Sequence, residues 1–103
     1  MKNKETILNS HESLCLYFKS PNCGVCEVVL PKVQKLFEKR FKKVNFQVID
    51  IANEPNLATE FMVFTAPTIL IFFDKKEYIK KSRTIFLDEL EKEISRVYDL
   101  YYG

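Results

Sequence analysis

The heptapeptide SPNCGVC, residues 20–26, places Cys23 and Cys26 two residues apart, after a Ser-Pro-Asn break. A pair at this spacing serves as a redox couple, as half of a metal site or as a structural bridge. Its flanks distinguish these readings. Upstream, LCLYFKS (14–20) is an apolar and aromatic run closed by Ser-Pro, the pattern of a buried strand. Downstream, Val29, Leu30, Val33, Leu36 and Phe37 recur at three and four residues, with Lys32, Lys35, Glu38 and Lys39 opposite them. That is the apolar stripe of a helix. Pro31 lies inside it, one turn past Cys26, where it removes a backbone hydrogen bond and should kink the axis.

Further along, VNFQVIDI (44–51) has the β-branched and aromatic content of a strand. Asn53, Glu54 and Pro55 break it and start a helix running to about Phe61. TAPTILIFFD then carries an uninterrupted apolar run, as in a strand buried on both faces. DKKE forms a polar turn into EYIKKSRTI, an alternating edge strand protected by lysines. From about Phe86, Leu87, Leu90, Ile94, Val97 and Tyr101 share one helix face. A short helical turn over residues 3–10, carrying Ile7 and Leu8, precedes the whole series. The order is helix, then β-α-β-α-β-β-α. Crossover helices imply parallel pairing, and the hairpin adds an antiparallel edge. The fold class is therefore α/β, a mixed sheet of about four strands flanked by helices on both faces.

If a helix opens at Cys23, Cys26 follows three residues on along the same face. Unpaired N–H groups and the helix dipole there favour an anionic sulfur, lowering the Cys23 pKa below the free value of roughly 8.5. Cys23 is then the nucleophile. Cys26, one turn inside and less exposed, resolves the mixed disulfide that Cys23 forms. Gly24 lets the turn close, and Val25 packs beside the disulfide or against a substrate. Glu27 would oppose a thiolate if it came close, but its helical position points it to solvent.

Bulk composition narrows the alternatives. The chain has 103 residues, 47% hydrophobic and 29% charged, the balance of one folded domain spanning 1–103. A net charge of +2, with both signs interspersed, gives no bias toward nucleic acid. MKNKETILNS lacks the apolar core of a signal peptide, and TAPTILIFF is too short to span a bilayer as a helix. A cytoplasmic location without membrane association is expected. There a CxxC means redox chemistry or metal more often than a stable bridge. A structural zinc needs four ligands, and only Cys15 and His11 remain as sulfur or imidazole candidates.

Taken together, the chain resembles the thioredoxin-like family over nearly its whole length. CGVC at 23–26 is similar to the family's CxxC, Pro31 falls at its helix-kinking proline, and Thr65-Ala66-Pro67-Thr68 resembles its cis-proline loop. The resemblance implies a cis Ala66–Pro67 bond beside the disulfide. Ala66 and Pro67 would then bind substrate, with the Ala66 backbone pairing with an extended peptide. It also implies a protein disulfide reductase that needs no bound cofactor. Its substrates would be disulfide-containing proteins, and its electron donor a thioredoxin reductase or a low-molecular-weight thiol. A monomer is expected. There are departures. Asn22 stands where the family has Trp, and Val25 where it has Pro. Tyr17 and Val48 replace a buried Asp and its Lys partner, leaving Cys26 without an evident base. The family's additional N-terminal strand is expected to be absent. Two other functions stay open, a redox-sensing or regulatory binding module and a zinc-binding interaction protein.

For the remaining candidates the expectations are plain ones. Cys15 is an inert core thiol. His11 is a surface residue at the end of the first helical turn. Phe61, Met62 and Phe64 pack the helix-to-strand connection, or else form an apolar rim for gripping substrate. Tyr101 lies on the apolar face of the last helix, with Tyr98 and Tyr102 toward solvent.

Overall fold

In the computed structural model, which describes residues 2–103, the run before the cysteines forms strand β1 (Ser13–Lys19), buried along all but its last residue. The helical stripe after them forms α2 (Gly24–Arg40), which continues through Pro31. Ahead of β1 lies α1 (Lys4–Ser10), closed at its start by a reciprocal Asn3–Thr6 cap. Then follow β2 (Asn45–Asp50), α3 (Pro55–Glu60), β3 (Thr68–Phe73), β4 (Lys76–Ser82) and α4 (Leu87–Tyr102). The sheet order is β2-β1-β3-β4. β1 runs parallel to β2 and antiparallel to β3, and β4 is antiparallel to β3.

Alternation along the two central strands builds a core on each face. Cys15, Tyr17, Ile69, Ile71 and Phe73 pack against Val33 and Phe37 of α2 and against Leu90 and Ile94 of α4. Leu14, Leu16, Phe18, Leu70 and Phe72 pack against Ile7 of α1 and against Leu57 and Ala58 of α3. Both faces of β1 and β3 are covered, which explains their unbroken apolar runs.

Three expectations need correction. The hairpin strand stops at Ser82, because Arg83 turns left-handed with φ 66°. The tyrosines of α4 are distributed the other way. Tyr98 and Tyr102 pack against the core, and the Tyr102 hydroxyl lies 2.5 Å from Ser13 Oγ. Tyr101 is 37% exposed, so the apolar stripe leans toward positions 98 and 102 near the helix end. Of the three residues read as packing the connection before β3 or else forming an apolar rim, Phe61 is buried, but Met62 and Phe64 are 63% and 69% exposed, so the packing reading holds for Phe61 alone.

Candidate active site

Strand register gathers three segments at one end of the sheet. Phe18, near the end of β1, pairs with Thr68 at the start of β3, and Thr68 pairs in turn with Ser82 at the end of β4. The loops carrying the cysteines, Pro67 and Arg83 therefore leave the sheet side by side. Asn22 adopts φ 60°, a left-handed turn that asparagine tolerates, and delivers the chain into α2.

Cys23 is the N-cap of α2, and its Sγ accepts the Cys26 N–H at 3.1 Å. Cys23 and Cys26 are joined as a disulfide, with Cα atoms 5.3 Å apart. The two sulfurs are unequal, since Cys23 is partly exposed and Cys26 only 1% exposed. A sulfur capping a helix faces the unpaired N–H groups of the first turn, which stabilise negative charge there. The arrangement thus offers one accessible, electrostatically favoured sulfur with a second shielded behind it.

Beneath Cys26, Tyr17 is fully buried and its hydroxyl donates to the Cys26 carbonyl at 3.0 Å. Burial, and secondarily the negative charge of Glu27, push the Tyr17 pKa up to about 12. Its register neighbour across the sheet is Val48. Glu27 itself is exposed on the first turn of α2. The Ala66–Pro67 peptide is cis, Pro67 is buried, and its carbonyl accepts the Arg83 N–H at 2.8 Å. Among the described residues, Ala66 makes no backbone hydrogen bond, so its N–H and C=O are free to meet an extended chain.

Two exposed side chains stand on left-handed backbone in the segments that lead to and from the sheet here, and Met62 is among those read from the sequence as an apolar rim. Met62 closes α3 in a left-handed C-terminal turn, with φ 60°; its N–H donates to Thr59 and the next N–H donates to Ala58. Glycine normally fills that place, and methionine there is turned outward. Arg83 is the second. The other two ligand candidates are kept away from the pair. Cys15 is enclosed in the middle of β1, and His11 precedes the far end of that strand.

The thioredoxin family model matches residues 2–96. The chain belongs to the thioredoxin family. It is 31% identical over 99 residues to the thioredoxin-like protein YdfQ of Bacillus subtilis, covering 96% of this chain and 88% of that one. Thioredoxin 1 of Thermosipho africanus superposes with a TM-score of 0.79 at 28% identity, covering 87% of this chain and 99% of that one. A thioredoxin-like protein from Bacillus cereus has a TM-score of 0.69 at 34% identity, covering 89% and 95%. The chain is thus a thioredoxin-like redox protein whose cysteine pair is held as the Cys23–Cys26 disulfide. Around that pair stand Asn22, Val25, Tyr17 and Val48, the positions read from the sequence as departures from the family pattern.

Proposed function

We propose that the protein is a protein disulfide reductase, with Cys23 as nucleophile, Cys26 as resolving thiol, and Ala66 and Pro67 as substrate-binding residues. The observation that carries this reading is the inequality of the sulfurs: Cys23 caps α2 and reaches the surface, while Cys26 is enclosed. The Cys23 thiolate attacks one sulfur of a substrate disulfide, and the other substrate sulfur leaves as a thiolate and takes up a proton. Cys26 then loses its proton, attacks Cys23 Sγ and expels the remaining substrate thiolate. That second thiolate is protonated in turn. The substrate thus gains two electrons from the enzyme and two protons, one released by Cys26 and one from solvent, and the enzyme is left as its disulfide. An NADPH-dependent thioredoxin reductase or a low-molecular-weight thiol returns the electrons, in a reducing compartment such as the cytoplasm. The chain acts as a monomer on extended protein segments that pair with the free backbone of Ala66.

Insulin reduction with an electron donor tests this. The wild type should turn over well above free dithiol, and Cys23→Ser should fall to background. Cys26→Ser should stop after one attack, accumulating a mixed disulfide visible by mass spectrometry. A regulatory module is the second reading, favoured by Tyr17, a phenol rather than a base behind Cys26. Wild-type turnover no faster than free dithiol would select it.

A further inference from the structure

The three segments around the disulfide, 20–26, 61–67 and 82–86, carry one charged side chain between them, that of Arg83. Its backbone is fastened to the substrate loop by the N–H bond to the Pro67 carbonyl, at 2.8 Å. Its side chain is exposed and, among the described residues, takes part in no ion pair. The contrast with its neighbour is informative, because Lys81 is held by both Glu89 and Glu93. Local backbone needs do not explain an arginine here. At φ 66° glycine or asparagine would fit with less strain, so what position 83 gains is the guanidinium. Lys80 is engaged elsewhere, its ammonium donating to the Met62 carbonyl at 3.3 Å. Glu27, on the first turn of α2, is exposed beyond Cys26 and opposes a carboxylate on that flank.

We propose that Arg83 is a specificity-determining residue, pairing with a carboxylate close to the substrate's disulfide, so that acid-flanked disulfides are the preferred substrate class. The proposal rests on the reductase reading and names which disulfides that site favours. A guanidinium suits carboxylates because its N–H groups match both oxygens. The pair is solvent-exposed, so the preference is modest, about two- to fivefold in rate.

The test uses the full chain, reduced with dithiothreitol and desalted, at low salt. Its probes are three peptides of one sequence, each with an internal disulfide and Glu, Gln or Lys beside one half-cystine. Rates are divided by those of free dithiothreitol on the same peptide, removing the peptide's intrinsic reactivity. The wild type should favour the Glu peptide over the Gln peptide about two- to fivefold and disfavour the Lys peptide. Arg83→Gln should bring the Glu-to-Gln ratio to one, Arg83→Lys should retain part of it, and about 0.5 M salt should shrink it in the wild type. Equal normalised rates for the Glu and Gln peptides in the wild type would overturn the proposal. So would a ratio that survives both Arg83→Gln and salt. A wild type no faster than dithiothreitol on every peptide, the Gln peptide included, would defeat the reductase reading instead.

Discussion

Tyr17 spans the gap between sheet and active-site helix, its ring enclosed against Phe46 and its hydroxyl holding the Cys26 carbonyl. A phenol with its pKa pushed up to about 12 keeps its proton at physiological pH, so it clamps the helix without accepting a proton from Cys26. The same shift sets a stability window. Because the folded state holds the proton more tightly than the unfolded chain, Tyr17 contributes fully below pH 10.0 and loses that contribution as pH rises toward about 12. Tyr17→Phe should cost about 1 kcal/mol at neutral pH through the lost hydrogen bond. Urea unfolding at stepped pH should then show the wild-type advantage narrowing above pH 10.0, since phenylalanine has nothing to ionise. A gap that stays constant to the alkaline limit would mean the phenol does not titrate with folding.

At the level of elements, α3 ends on Met62 in the conformation that glycine adopts most easily. Holding a side-chain residue there costs about 1 kcal/mol. Met62→Gly should therefore stabilise the fold by roughly 0.5–1 kcal/mol, the extra freedom of glycine in the unfolded chain offsetting part of the gain. It should also slow insulin reduction, because the exposed side chain beside the substrate loop is lost. Denaturant midpoints and turnover, measured on one preparation, check both directions. Such positions explain which parts of the site were legible in the sequence. Apolar spacing revealed α2, and the unbroken apolar run TILIFF revealed β3, because burial on one face or on both leaves its mark in the pattern of apolar residues. The outward turn of Met62 and the early end of β4 at Arg83 depend on left-handed backbone at residues that rarely adopt it, and composition carries no sign of that. The hairpin tip Asp74–Lys75, with φ 52° and 67°, is a two-residue turn of the same kind, found only because polar residues mark turns in general. In α4, helical spacing alone placed Tyr101 inward. Core contact with Phe41 and the bond to Ser13 draw in Tyr98 and Tyr102 instead.

Across the whole molecule, the order β2-β1-β3-β4 puts the two most apolar strands at the centre and leaves β2 and β4 as edges. Lys76 and Lys80 keep the β4 edge charged and exposed, which discourages pairing with another chain. The centre of β1 is the least accessible part of this arrangement, and there Cys15 has no exposed surface. Burial pushes its thiol well above the ordinary value. The third sulfur is consequently a built-in clock for unfolding. A fully reduced sample mixed with a chromogenic aromatic disulfide should release two equivalents of dye at once. The third should appear only as fast as the central sheet opens, and a prompt third equivalent under native conditions would contradict the enclosure of Cys15.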